Sequence, residues 1–158
     1  MSMSITALVG LGNSGAEYAK TYHNVGAFVA EVMHAENTAL RIYPLQGYMN
    51  ESGVPVKAWL KMQGVAPDAY LVIHDDSDLS VGSYKLVRGG GSAGHKGIES
   101  LVVHLGTADF WRLRIGVRDL NEVVRRKAAD FVLSRWSAAE EKEFVRIAGE
   151  ASRQIQKA

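Results

Sequence analysis

Residues 5–10 form the first strongly apolar run, which reads as a buried strand stopping at the glycine-rich turn Gly10-Leu11-Gly12-Asn13-Ser14-Gly15. After a loop through Tyr18 and Thr21, the residues Val25, Phe28, Val29, Val32 and Met33 recur at i, i+3, i+4, i+7 and i+8. That spacing predicts a helix with one apolar face, beginning near Asn24 with His23 at its entrance. Residues 40–43 are a short strand, and residues 44–53 are a loop feeding a helix over about 54–62, where Pro55 fits the first turn. Residues 69–73 are a second buried strand, ending in the polar trio His74-Asp75-Asp76. A strand over 83–87 leads into the densest turn of the chain, Gly89-Gly90-Gly91-Ser92-Ala93-Gly94, and Ile98, Leu101, Val102 and Leu105 then predict a helix over about 95–104. Residues 110–117 alternate as a strand, and 119–135 read as loop plus a short helix around 127–133. Ser137-Ala138-Ala139-Glu140 is a capping box, after which Phe144, Ile147, Ala148, Ala151 and Ile155 carry one apolar face to the end. Strands alternating with helices imply an α/β fold: a three-layer sandwich whose mostly parallel mixed sheet is flanked by helices. With no internal repeat and no linker, residues 1–158 read as a single domain.

Composition narrows the chemistry. At 158 residues the chain can bury a core without staples, and the absence of cysteine excludes a thiol nucleophile, a disulfide framework and a cysteine-based zinc site. Residues 1–6 have no basic flank ahead of an apolar run, and the apolar stretches are too short to span a bilayer, so the expectation is a cytoplasmic protein with no membrane partner. The net charge of +1 conceals an asymmetry: residues 1–82 hold 4 Lys and Arg against 8 Asp and Glu, whereas residues 83–158 hold 14 against 9. Nine of those basic residues fall between Lys85 and Lys127, which suits a polyphosphate partner, although a merely solvated charged surface gives the same pattern.

In a sheet of this kind ligands bind beyond the carboxyl ends of the strands, where Asn13, His23, Asp75 and the loop at 89–94 can converge. Three familiar patterns compete for that edge. Gly10-x-Gly12-x-x-Gly15 has the glycines of a dinucleotide fingerprint, but the helix begins too late and no acid follows the next strand. Gly90-x-Ser92-x-Gly94 has the look of a nucleophile elbow, yet after Ser92 the histidines are His95 and His104 and the only acid before His104 is Glu99, which leaves no assembly in the order Ser, acid, His. His74, Asp75, Asp76 and Asp78 are too nearly consecutive to converge on one metal, and neither an EF-hand loop nor HExxH spacing is present. An Asp-rich capping turn accounts for Asp76 and Asp78, leaving Asp75 singled out.

Five blocks in order then match a known pattern. Leu8-Val9-Gly10-Leu11-Gly12-Asn13-x-Gly15-x-x-Tyr18-x-x-Thr21-x-His23-Asn24-x-Gly26, Tyr48-Met49-Asn50-x-Ser52-Gly53, Val72-x-His74-Asp75-Asp76-x-Asp78-Leu79, Gly89-Gly90-Gly91-Ser92-Ala93-Gly94-His95-x-Gly97 and Phe110-x-Arg112-Leu113-Arg114-Ile115-Gly116 resemble the signatures of the bacterial-type peptidyl-tRNA hydrolase family. The resemblance, running from Leu8 to about Leu133, implies hydrolysis of the ester between peptide and tRNA without cofactor or metal, by a monomer acting on peptidyl-tRNA. It implies His23 as general base with Asp75 fixing its tautomer, and Asn13 and Asn50 as donors to the peptide end and the ester carbonyl. Asp75 is expected to raise the His23 pKa and the helix N-terminus to lower it. For substrate binding it points to Tyr18, Met49, Gly91, His95, Lys96 and Arg114, with Lys85 and Arg88 as basic neighbours. Departures from the family are Lys96 where an Asn is usual, Tyr43 where a Lys is usual, and a shortened segment between His23 and Asn50. These leave a catalytically weak or inactive RNA-binding homologue as the alternative.

Overall fold

The polar end of the central strand organises the fold. In the computed structural model, which describes residues 3–157, β3 (Tyr70–Ser80) is flanked by β1 (Ala7–Gly10) and β5 (Trp111–Arg118), both parallel to it. With β2 (Arg41–Ile42) parallel to β1 and β4 (Tyr84–Arg88) antiparallel to β5, the sheet runs β2-β1-β3-β5-β4. Met1, Ser2 and Ala158, included in the single-domain reading, lie outside the described residues.

Alternation along the strands divides the core into two layers. Leu71, Ile73, Leu113, Ile115 and Val117 face α1 (Val25–Glu36) and α4 (Ala138–Lys157), while Tyr70, Val72 and Phe110 face α2 (Gly53–Met62) and α3 (Lys96–Leu105). The apolar stripe read for α1 is the buried face: Val25, Val29 and Met33 are fully covered and Phe28 and Val32 partly so. Helix α4 is polar overall, yet Phe144, Ile147, Ala148, Ala151 and Ile155 are all buried against α1 and the sheet. Fully burying the larger of these contributes about 1.5–3 kcal/mol each, enough to dock a helix whose other faces are solvated. The capping box forms as expected, with Glu140 N–H donating to Ser137 Oγ at 3.1 Å and Ser137 N–H to Glu140 Oε1 at 2.9 Å.

Two elements differ from the sequence reading. Strand β3 does not stop at Ile73 but runs on to Ser80, with His74, Asp75 and Asp76 in register with Arg114, Ile115 and Gly116 of β5. The polar residues stay in the strand because β5 meets them with its own charge: Arg114 Nε donates to Asp76 Oδ2 at 2.7 Å. Asp76 still caps locally, its Oδ1 accepting the Asp78 N–H at 2.8 Å, but it is a buried ion-pair partner of Arg114 and not a solvated turn residue. Between β5 and α4 the only helical turn is a 3-10 turn, Ala128–Asp130. That segment is pinned by side chains instead. Glu122 accepts from Arg118 Nη1 at 2.7 Å, and the Phe131 ring carries the guanidinium groups of Arg118 and Arg126 at 5.1 and 5.0 Å.

One close approach sets the position of the site. A Cβ at Gly26 would lie 2.0 Å from the Ile73 carbonyl oxygen, so only glycine lets the first turn of α1 press onto β3 at Ile73. His23, just ahead of α1, is thereby brought beside Asp75.

Candidate active site

Asp75 leaves the last apolar turn of β3 with 3% of its surface exposed, and a histidine takes each of its oxygens. His23 Nδ1 lies 2.8 Å from Oδ2, and His95 Nε2 lies 2.8 Å from Oδ1. His23 belongs to the 3-10 turn Tyr22–Asn24 that opens α1, whereas His95 is the N-cap of α3, so the carboxylate ties together the entrances of helices from opposite layers.

The surrounding hydrogen bonds fix the tautomers. His95 Nδ1 accepts the Ile98 N–H at 3.2 Å, which places the ring hydrogen on Nε2, pointing at Asp75. At His23 the ionised carboxylate takes the Nδ1 hydrogen, leaving Nε2 with a lone pair at the mouth of the cleft. His74 is a third, fully neutral imidazole: its Nδ1 donates to the Asp75 carbonyl at 2.8 Å, and its Nε2 accepts from Arg112 Nε at 3.1 Å. Burial pushes the His74 pKa well down, with the neighbouring His95 ring and the Arg112 guanidinium adding to it. Burial also acts to lower His23, but the hydrogen bond and charge of Asp75 outweigh it and raise the pKa above 6.5. For Asp75 burial acts upward, and the electrostatic influence of His95 with the hydrogen bonds from His23 and His95 holds it well below the usual carboxylate range.

His23, Asp75 and His95 offer donor atoms within 4.8 Å of one another, a spacing that a cation can use. The tautomer of His95 argues against that use. A metal on Nε2 would drive the hydrogen to Nδ1, where it would confront the Ile98 N–H. The donor set fits a hydrogen-bonded triad better than a coordination sphere.

A cleft of about 250 Å³ opens over the triad, lined by His23, His74, Asp75, His95, Arg112 and Arg114 together with the glycine-rich loop and Val132. Asn13 is not among the residues lining this cleft, and it is held in a fixed orientation. Its backbone exchanges two 2.9 Å hydrogen bonds with the Asn24 side chain, and its Oδ1 accepts the Met49 N–H at 2.7 Å. That leaves Nδ2 as the group free to donate to a ligand.

The other sequence candidates separate into those on this cleft and those away from it. Gly91, His95, Lys96 and Arg114 line it, and Lys96 is exposed with its ammonium 3.3 Å from Glu99. Met49 is buried beneath α3, close against Gly97, so it is wall and not surface. Tyr18 meets Tyr48 edge to face at 6.4 Å. Asn50 is exposed and lines a separate groove with Gln46, Gly47, Val54 and His104, not the cleft of His23 and Asp75. Lys85 is exposed on β4, directly opposite Arg114. Arg88 is held by Asp68 at 2.6 Å and Asp109 at 2.7 Å and lies over Trp111, which neutralises it as a free cation. Tyr43, where the family has a Lys, is buried edge-on to Trp59.

The sequence reading passed over Arg112 and set His74 aside. The available signal was two arginines at alternate positions of an otherwise apolar strand, since a charge inside a core strand requires a partner there.

An α/β sheet with a carboxylate-steered imidazole at the carboxyl end of its central strands defines a class of protein able to take a proton from water beside a bound carbonyl. Comparison with known proteins gives the family. The sequence model of the family described as Peptidyl-tRNA hydrolase matches residues 30–158. The chain is 39% identical to a peptidyl-tRNA hydrolase of Nocardia farcinica over 92% of its own length and 85% of the relative's, and 37% identical to that of Bordetella petrii over 84% and 74%. The crystal structure of peptidyl-tRNA hydrolase from Acinetobacter baumannii superposes with a TM-score of 0.82 at 30% identity, covering 99% of this chain and 89% of the other. The chain belongs to the peptidyl-tRNA hydrolase family.

Proposed function

We propose that this protein hydrolyses the ester between a peptide and tRNA, with His23 as general base and no metal. The observation that carries the reading is the His23 Nδ1 to Asp75 Oδ2 hydrogen bond of 2.8 Å, which leaves Nε2 of a raised-pKa imidazole free at the cleft. Water gives its proton to His23 Nε2 as its oxygen bonds to the ester carbonyl carbon. Asp75 stabilises the imidazolium that forms. When the carbon–oxygen bond to the ribose breaks, the imidazolium returns the proton to the departing ribose oxygen, releasing the peptide acid and tRNA. Asn13 Nδ2 donates to the carbonyl oxygen as charge builds on it, where a preorganised neutral donor is most useful. Asn50, on a separate groove, would take the peptide chain. Arg114 and Lys85 meet the phosphates at the other side of the cleft, recognising RNA by backbone and end shape.

Every proposed group comes from one chain, which supports a monomer as the working unit, and a substrate produced by ribosomes supports a cytoplasmic location. No helix among the described residues is long and apolar enough to cross a membrane. The alternative of a non-catalytic RNA-binding homologue is not favoured, because a binding module has no use for a buried carboxylate steering an imidazole. The test is single-turnover cleavage of N-acetyl-aminoacyl-tRNA by wild type, after exhaustive chelation, beside His23→Ala. The wild-type rate is expected to survive chelation, and the variant to lose at least the ~10²-fold typical of a missing general base. Unaltered turnover in His23→Ala removes His23 from the mechanism.

A further inference from the structure

Arg112 has 3% of its surface exposed, and among the described residues it makes no ion pair with a carboxylate. Its hydrogen bonds go to neutral acceptors. Nε donates to His74 Nε2 at 3.1 Å, and Nη1 donates to the carbonyl oxygens of Gly89, Gly90 and Gly91 at 3.3, 3.2 and 2.9 Å. A buried guanidinium served only by neutral groups is a costly way to fill space, and an apolar side chain would do that better. What an arginine adds is a rigid fork that spans a ring nitrogen and a loop at once.

The consequence for the loop follows from peptide geometry. In a trans peptide the C=O of one residue and the N–H of the next point in opposite directions. Gathering the carbonyls of Gly89, Gly90 and Gly91 on one guanidinium therefore turns the N–H groups of Gly90, Gly91 and Ser92 away from it. Among the described residues those three N–H groups have no hydrogen-bond partner, whereas Gly89 donates to Phe110 O, Gly94 to Ser92 Oγ and His95 to Ser92 O. Positive φ angles of 72° at Gly89 and 99° at Gly90 permit the turn. Successive outward N–H groups form a concave anion site.

We propose that Arg112 is a positioning residue for RNA: it holds the glycine-rich loop so that the N–H groups of Gly90, Gly91 and Ser92 cradle a phosphate of the incoming tRNA. His74 is the strut behind it, since only its unprotonated Nε2 can accept from Arg112 Nε, and its ring is itself anchored by the Asp75 carbonyl through Nδ1. The assignment rests on the hydrolase reading above and names the group recognised at the rim of that site.

Two variants test it, each assayed on N-acetyl-aminoacyl-tRNA and on N-acetyl-aminoacyl-adenosine, which carries the same ester and no phosphate. Arg112→Lys keeps the charge but cannot span His74 and three carbonyls. Gly90→Ala places a Cβ 3.5 Å from Arg112 Nη1 at a φ of 99°, so it disturbs the loop while leaving the guanidinium in the core. Both are expected to raise KM for the tRNA ester about tenfold or more, the scale of losing hydrogen bonds to one charged group, with kcat changed less than about threefold. For the adenosine ester kcat/KM should stay within about threefold, and the salt dependence of tRNA binding should become shallower by about one phosphate contact. Equal losses on the two esters would overturn the proposal, because they would place the effect at the reacting centre or in the fold. An unchanged tRNA KM in Gly90→Ala would overturn it as well. A wild type inert to both esters would sink the hydrolase reading instead, and the cradle would then be judged by tRNA binding, where both variants must still weaken Kd by the same factor.

Discussion

Replacing Asp75 with asparagine leaves the shape of the site and should stop the reaction, for a reason that lies in the neighbouring histidine. The carboxylate now accepts two N–H groups, one from each ring, both at 2.8 Å. A carboxamide has one oxygen and one NH₂, so it can accept from only one of them. His95 cannot yield: moving its hydrogen to Nδ1 would set it against the Ile98 N–H that it now caps, leaving a buried donor unpaired at a cost of about 1–3 kcal/mol. The new carboxamide therefore turns its oxygen to His95 and its NH₂ to His23. His23 must then accept at Nδ1 and carry its hydrogen on Nε2, where it cannot take a proton from water. The loss is the whole general-base contribution, about 10²- to 10⁴-fold or ~3–5 kcal/mol, and it falls on the chemical step, not on binding. Single-turnover hydrolysis of N-acetyl-aminoacyl-tRNA at saturating enzyme reads this directly. The same logic predicts a rescue. In Asp75→Asn/His95→Gln the glutamine carbonyl can accept the carboxamide NH₂, so the carboxamide oxygen can return to His23, and the double variant should be at least ~10-fold faster than Asp75→Asn alone. A single variant within about threefold of wild type, or a double variant no faster than the single, would refute the tautomer argument.

Further expectations follow from the same contacts. Because Asp75 raises the His23 pKa, the ascending limb of kcat/KM against pH should have its midpoint above 6.5. The linked stability has the opposite sign: a raised folded-state pKa means that the His23–Asp75 contribution is fully present below pH 6.5 and is lost as pH rises through the folded value. The urea midpoint should therefore fall across that window in wild type and not in His23→Ala, and parallel curves would count against the ion pair. At Gly26 a Cβ would meet Ile73 backbone 2.0 Å away, with no flexible side chain to give way. Gly26→Ala should cost about 2 kcal/mol or more, lower Tm by roughly 4–8 °C and slow hydrolysis by separating His23 from Asp75; an unchanged melt would mean that α1 can slide.

Periodicity exposed most of the scaffold because most of it is amphipathic in a regular way. The stripe Val25, Val29, Met33 and the stripe Phe144, Ile147, Ala151 each contain only residues that the structure buries, so the 3.6-residue spacing carried the information unaided. The end of β3 was obscured because its strand character depends on β5. His74 and Asp76 look like a turn until Arg112 and Arg114 arrive on the adjoining strand, and no local pattern encodes a pairing 38 residues away. Composition had the same weakness. The basic excess between Lys85 and Lys127 is evident in the sequence, but Arg88, Lys96, Arg114, Arg118, Arg125 and Arg126 are all paired with acids of this chain, leaving a much smaller positive rim at the cleft.

The site was legible as a set and not as an arrangement. His23 and Asp75 could be paired through the family resemblance, whereas His95 was assigned to substrate, since nothing in the spacing shows that the loop 89–94 folds back to bring its ring to the other carboxylate oxygen. That third contact changes the meaning of the pair. A carboxylate bound by one histidine could rotate, and the tautomer of its partner would be a preference. With both oxygens taken, and with His95 locked in turn by the first turn of α3, the direction of every hydrogen from Ile98 through His95 and Asp75 to His23 is determined by backbone. The proton acceptor at the cleft is thus set by how α3 begins, at a point where sequence reading saw a glycine turn, the start of a helix and a substrate-binding histidine.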